Sequence, residues 1–486
     1  MNIAVPAPGQ AESALDALTR RAREDLAMLS FATKPWVIPA EHAGRRIPDV
    51  AIVGAGQSGL VLGHELKRRG VDNILLLDRA PEGREGVWDS FARNYEIRSP
   101  KEVMGADLNI PSLTIQSFFT ACHGRAAWDA LKRVPRTDWM AYLRWYRSIA
   151  DLPVRNGAEV ADIDFDAAGV SLSLAGGGTI RARHAVLATG MDGGGAWAVP
   201  EVIAAGLPPE RYSHSSDGVD AAQFAGRDIA ILGAGAAAFD MAVTALDAGA
   251  RQVEMFMRRR DLPMKDVARE FETGGHLNHS HELSDLTKWN LARFMSGLSQ
   301  SPAEHHFFRA CSFPNFRILP GAPWETVGMD GGRIVIGTPR GRFEADHAIA
   351  ATGTLVDMSR RPELARIARG AALWRDRFQP PADDPAPGRL LFPYLDRDYR
   401  FTERVPGAAP GIGRIVAFNA LASLSMGGMS AVSISSHRFG VPRVADGLTR
   451  ALFAEQEDRL IPMLEAHDRE AFELPADIRA MLDRPG

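Results

Sequence analysis

Two glycine turns and two Ala-Thr-Gly turns predict an α/β fold. It has two dinucleotide-binding (Rossmann-like) domains, the second inserted into the first. The glycine turns are "IVGAGQSGLVLG" at Ile52–Gly63 and "ILGAGAAAFDMA" at Ile231–Ala242. Each follows a short apolar run, opens a helical pattern and leads to a second apolar run, the order of a βαβ unit. The Ala-Thr-Gly turns close "ARHAVLATG" (Ala182–Gly190) and "EADHAIAATG" (Glu344–Gly353). Glycine turn and Ala-Thr-Gly turn, then both again, suggest one domain interrupted by another. The boundaries read as a helical extension and linker over 1–47, the first nucleotide domain over 48–207 and 344–450, the insert over 208–343, and a helical C-terminal segment over 451–486.

Leu15, Leu18, Ala22, Leu26 and Leu29 recur at helical spacing, so Ala11–Leu29 predicts an amphipathic helix. A proline-punctuated linker carries the chain to Pro48. Val50–Val53 predicts a strand, Leu60–Arg69 a helix stopped by Gly70, and Asn73–Leu77 a second strand tipped by Asp78. Trp139–Ile149 has helical period. In the second unit, the strand Gln252–Met257 ends in Arg258, Arg259 and Arg260. Pro380–Gly388, "PPADDPAPG", reads as a surface loop. Ile415–Ser436 is uncharged, but its Ser, Gly and Asn content fits a buried segment between packed domains better than a membrane span.

The chain has 486 residues, 45% hydrophobic and 24% charged, ordinary for a globular protein of two or three domains. A net charge of −4 gives no electrostatic case for nucleic acid. The only cysteines, Cys122 and Cys311, fit a reducing compartment. The first residues lack the apolar core of a secretion signal, so the expected location is the cytoplasm. No membrane contact is expected, and a homo-oligomer is compatible with the chain.

The first turn suits a pyrophosphate. Gly54 permits the tight turn, Gly56 lets backbone approach phosphate, and Gly59 lets helix and strand pack closely. The helix start at Gln57 and Ser58 offers free N–H groups to the anion. At the next strand tip the Asp78 carboxylate, followed by Arg79, is placed to accept ribose hydroxyls. The second turn keeps Gly233 and Gly235, with Ala236 and Ala237 opening its helix and Ala238 in place of the third glycine. The interval that reaches Asp78 in the first unit reaches Met257 here, next to Arg258 and Arg259. A guanidinium pairs with a ribose 2′-phosphate, whereas an acid would repel it. The first site therefore reads as FAD-binding and the second as NADPH-binding. The mid-strand Glu254 is a competing acid, and a solvated charge run is the alternative for the arginines. Two such sites imply electron transfer from NADPH to a flavin. With no C-x-x-C, a flavin disulfide reductase is excluded.

The sequence resembles the class B flavin monooxygenases, which include flavin-containing, Baeyer–Villiger and N-hydroxylating enzymes. "REGVWDS" (Arg84–Ser90), with Trp88, resembles the family's Gly-Gly-x-Trp stretch, Glu85 standing where glycine is usual. "RSPKEVMG" (Arg98–Gly105) resembles its Ser-Lys-Glu segment, with Pro100 inserted. "HSSD" (His214–Asp217) resembles the fingerprint histidine, although Pro208 and Glu210 replace the Phe-x-Gly before it. "RVPRTDWMAYLRW" and "AVSISSHRFG" (Ala431–Gly440) resemble segments of the N-hydroxylating group, while Thr354 replaces the usual aromatic after the second Ala-Thr-Gly.

The resemblance implies that NADPH reduces FAD, that O2 adds to give a C4a-peroxyflavin, and that a small nucleophile, an amine above all, takes an oxygen atom. Thr189, Gly190, Ser215 and Gly353 join the cofactor contacts. Lys101 is a candidate polar contact at substrate or nicotinamide, with a surface lysine as the alternative. His214 is a candidate NADP+ contact, with a satisfied loop histidine as the alternative. His276, His279 and His281 are not expected to bind metal. Two other outcomes stay open: Baeyer–Villiger insertion beside a ketone, and a flavoprotein dehydrogenase or reductase that does not use oxygen productively.

Overall fold

The computed structural model describes residues 8–103, 105–298, 300–428, 432–469 and 471–482. Met104 of the Ser-Lys-Glu segment, Ala431 of the tail motif and residues 429–430 of the uncharged run lie outside it. The N-terminal helix α1 (Pro8–Met28) lays Leu15, Leu18, Ala22 and Leu26 on the main core. Next come β1 (Val50–Val53), α2 (Gln57–Arg68) and β2 (Ile74–Leu77), the strand–helix–strand order that the first glycine turn predicts. A helical stretch follows that includes α3 (Arg125–Ala130) and α4 (Arg136–Ala150). Then come β3 (Val154–Arg155), an antiparallel meander of β4 (Val160–Asp166), β5 (Gly169–Leu174) and β6 (Thr179–Ala182), and β7 (His184–Leu187).

The chain leaves this unit through β8 (Gly195–Trp197). The second unit repeats the plan with β9 (Tyr212–His214), β10 (Asp228–Leu232), α5 (Ala236–Asp247) and β11 (Gln252–Met257). After a helical excursion that includes α6 (Asp285–Leu298) and α7 (Glu304–Cys311) come β12 (Phe316–Pro320) and a second meander, β13 (Thr326–Asp330), β14 (Arg333–Thr338) and β15 (Gly341–Ala345). The unit closes with β16 (His347–Ala350), and the chain returns through β17 (Thr354–Val356), which pairs antiparallel with β8. The final elements are β18 (Ile415–Val416), α8 (His437–Ala454), α9 (Glu457–Glu465) and α10 (Ala476–Leu482).

The two five-stranded sheets have matching orders, β18-β7-β1-β2-β3 and β9-β16-β10-β11-β12, all parallel. Their strands are nearly continuous apolar runs, as sheets covered on both faces require. β1 shows Val50, Ala51 and Ile52 wholly buried; β16 is buried along its length.

β16 lies in the second sheet, between β9 and β10, while β15 closes the antiparallel meander that precedes it. The second Ala-Thr-Gly turn thus follows a strand of the second sheet, as the first follows β7 of the first sheet. Each glycine turn needs its own neighbouring strand end, which is why the motif occurs twice. Helix α8 runs through residue 450, so it does not divide there. The uncharged run Ile415–Ser436 holds a short strand and buried loop: Ala417, Phe418, Asn419, Leu421 and Ala422 have no exposed surface. Among the described residues no helix is long and apolar enough to cross a membrane.

Candidate active site

Both glycine turns are built by the same constraint. Gly54 has φ +104°, and a Cβ there would lie 2.4 Å from the Ala188 carbonyl oxygen. Gly233 has φ +126°, and its Cβ would lie 2.4 Å from the Ala351 oxygen. Only glycine serves at either position, and each obstructing carbonyl belongs to an Ala-Thr-Gly turn. The loop around Gly86 passes 3.2 Å from a Cβ on Gly56, so "REGVWDS" arrives at the first turn. A Cβ on Gly59 would meet the Gly54 carbonyl at 1.9 Å, as close helix–strand packing demands.

The strand tips differ. Asp78, 9% exposed, accepts the Ala55 N–H through Oδ2 and the Ala80 N–H through Oδ1, each at 2.8 Å. Both oxygens keep a further lone pair for a ribose hydroxyl. Beside it, Arg79 pairs with Asp192 at 3.1 Å. In the second unit Arg258 is exposed directly after β11 and makes no ion pair among the described residues. Arg259 donates to the Leu298 carbonyl at 3.0 Å. The competing acid Glu254 sits mid-strand, 8% exposed, with Arg317 of β12 at 3.1 Å. Burial raises its carboxyl pKa against the pull of that arginine. Glu254 is thus occupied within the sheet, and the three residues that follow β11 are all arginines.

His214 ends β9, buried, its ring stacked on Trp197 at 5.3 Å. Its Nδ1 accepts the Ser216 N–H at 3.1 Å, and burial lowers the ring pKa. The neutral ring therefore carries its proton on Nε2, a buried atom whose neighbouring acceptor is the Gly353 carbonyl. The adjacent Ser215 Oγ is buried without a partner, which is costly unless a ligand meets it. Arg93, from the first unit, donates to the Ser215 carbonyl at 2.7 Å and ties the units together here.

The other sequence candidates fall around the first turn. Thr189 Oγ1 accepts from Asn419 Nδ2 at 2.9 Å, and Gly190, at φ +73°, accepts the Ala420 N–H through its carbonyl. The uncharged segment is thereby pinned to the first Ala-Thr-Gly turn. Gly353, at φ +80°, accepts from the Ala198 N–H. Trp88 meets Trp139 edge to face at 6.2 Å, and its carbonyl accepts from Arg136. Glu85 turns aside to pair with Arg147 and accept from Asn156, which accounts for an acid where the family has glycine. Lys101 donates to the Trp128 carbonyl at 2.7 Å and lies over the Trp128 ring. Its ammonium is held at the end of α3. Ala236 and Ala237 open α5 after Gly235.

Sequence reasoning missed His437, whose ring contacts both Gln57 and Ser58 at the start of α2. A histidine at a helix start after a long uncharged run was the available signal. Among the described residues no cluster of three metal-ligating side chains occurs, and Cys122 and Cys311 are free.

The sequence profile of the family described as pyridine nucleotide-disulphide oxidoreductase matches residues 51–271. The FAD-dependent urate hydroxylase of Xanthomonas campestris pv. campestris is 39% identical over 452 residues, 93% of this chain and 95% of that protein. Ornithine hydroxylase from Pseudomonas aeruginosa superposes with a TM-score of 0.65 at 18% identity, over 84% of this chain and 100% of that one. L-lysine 6-monooxygenase from Pseudomonas syringae gives 0.63 at 17%, over 83% and 99%. Those two likenesses show the shared fold; the urate hydroxylase is similar along nearly its whole length, and with it this protein belongs to the class B flavin-dependent monooxygenase superfamily.

Proposed function

We propose that the protein is an FAD- and NADPH-dependent monooxygenase acting on a small, nitrogen-rich nucleophile, a planar ring of the urate type. The observation that carries the cofactor assignment is the pair of like turns with unlike strand tips: Asp78 at one and Arg258 at the other. The residues fit both groups. The Gly54–Gly59 turn leaves room for a pyrophosphate, and Asp78 has lone pairs for ribose. The buried Ser215 hydroxyl, beside His214, supplies a donor to an NADPH that Arg258 holds by its 2′-phosphate. FAD, when bound, supplies the redox chemistry: NADPH, H+, O2 and substrate give NADP+, water and the hydroxylated substrate.

The chain's own part is to bind, orient and exclude water. The buried, uncharged loop at Asn419–Ala422 presents no titratable group beside Thr189, which suits a dry reaction centre. Lys101 would reach a substrate only by leaving the carbonyls of α3, so we assign it to holding that helix end. The urate-type substrate rests on the urate hydroxylase at 39% identity. A second reading, N-hydroxylation of an amine, rests on the segment "RVPRTDWMAYLRW", now α4, and its resemblance to the N-hydroxylating group. Two free cysteines suit work in the cytoplasm.

NADPH oxidation measured with urate, ornithine and lysine, with peroxide assayed alongside, tests this. Urate should speed NADPH oxidation and lower the peroxide formed per NADPH. An effect confined to an amine would establish the second reading. A colourless protein that binds no flavin would overturn both.

A further inference from the structure

Beneath the first glycine turn lies a hydrogen-bonded chain whose direction is fixed by chemistry. The Trp139 indole N–H can only donate, and it lies 3.0 Å from Gln57 Oε1. Gln57 therefore turns its amide nitrogen to His437, where Nε2 donates to Nδ1 at 2.8 Å. A ring with Nδ1 as acceptor carries its proton on Nε2, and that atom is 2.9 Å from Ser58 Oγ. Burial holds the His437 pKa down to about 4, so the ring is neutral. All four side chains are nearly inaccessible, and Trp139 and His437 come from α4 and α8, remote in sequence.

Gln57 and Ser58 are the first two residues of α2. Their backbone N–H groups are among those no helix can satisfy internally, and they face the expected phosphate. We propose that His437 is a positioning residue for the flavin pyrophosphate: it ties both side chains inward and so fixes the direction of the N–H groups that receive the anion. This rests on the FAD assignment above. The relay also explains why α8, the last large helix of the chain, begins where it does: its first residue completes the flavin turn.

A cavity of about 330 Å³ adjoins the ring, lined also by Val61, Glu65, Asn109 and Arg438, so substitutions at 437 have room. Glutamine can accept from Gln57 and donate to Ser58; phenylalanine can do neither. The test is FAD titration of the full chain stripped of flavin, read by flavin fluorescence. His437→Phe should weaken FAD roughly tenfold or more, and His437→Gln should restore affinity to within about threefold of wild type. The double variant with Ser58→Ala should bind no more weakly than His437→Phe alone, because both cut one relay. Wild-type affinity in His437→Phe, no rescue by His437→Gln, or additive losses would each overturn the proposal. Should His437→Phe fail to fold, Gln57→Ala and Ser58→Ala carry the test. Each should weaken FAD about threefold or more, and wild-type affinity in both overturns the relay. If the wild-type chain itself binds no FAD, the cofactor assignment fails instead.

Discussion

The two nucleotide units differ least at their turns and most at their strand tips and sheet feet. Gly54 and Gly233 face equivalent carbonyls at the same 2.4 Å. One tip is a buried carboxylate with both oxygens bonded; the other is an exposed guanidinium. Under the proposed assignment the turn places a pyrophosphate in each unit, and the tip decides which nucleotide that pyrophosphate belongs to. At the opposite end, the foot of the first sheet is clamped by a partly buried network. Glu455 of the segment after α8 meets Arg183 at 2.8 Å and His184 at 2.9 Å. The foot of the second sheet carries a more exposed cluster of Asp228, Arg251 and Arg333.

The largest expected effects separate the turns. Gly54→Ala forces a side chain into both a left-handed backbone and the Ala188 carbonyl, and should cost about a hundredfold or more in FAD affinity. Gly233→Ala should leave a yellow protein that NADPH no longer reduces. Absorbance of each purified variant, before and after anaerobic NADPH, reads both. Loss of flavin from Gly233→Ala would break the assignment of the two turns.

The feet come next. Burial would raise the Glu455 carboxyl, but the hydrogen bond and charge of His184 and the charge of Arg414 outweigh it and hold it at about 2. Because the folded pKa is depressed, this stabilisation is complete above an unfolded value near 4.5 and is lost as pH falls towards 2. Glu455→Gln should cost roughly 2 kcal/mol at pH 7 by urea unfolding, and should flatten the acid limb of the stability curve. Arg251→Ala, at the exposed foot, should leave the unfolding midpoint in place. Equal losses would show that the feet do not differ. A smaller effect is expected at the first tip. Asp78→Ala should weaken FAD roughly tenfold, read by fluorescence titration, without changing the choice between NADPH and NADH.

Much of this comparison is legible in the sequence because turn chemistry is local. Glycine spacing, the apolar runs and the charges at Asp78 and Arg258 all lie within one βαβ unit. The place of the second Ala-Thr-Gly turn was less legible, because the sequence reads Glu344–Gly353 as a return to the first domain, whereas the pairing of β16 with β10 joins strands more than a hundred residues apart. His437 was hidden for a related reason. Its partners Gln57 and Ser58 are far away in sequence, and nothing in "SSHRFG" names them. The commitment of Lys101 to the end of α3 depends on how that short helix packs, which no motif encodes.

In the proposed enzyme, charge at the second strand tip selects the reductant. Anaerobic flavin reduction by NADPH and by NADH, followed by stopped flow in wild type and Arg258→Ala, tests it directly. Arg258→Ala should weaken NADPH roughly tenfold and NADH hardly at all, as the loss of one charge-assisted pair to the 2′-phosphate requires. An equal change for both coenzymes would contradict it.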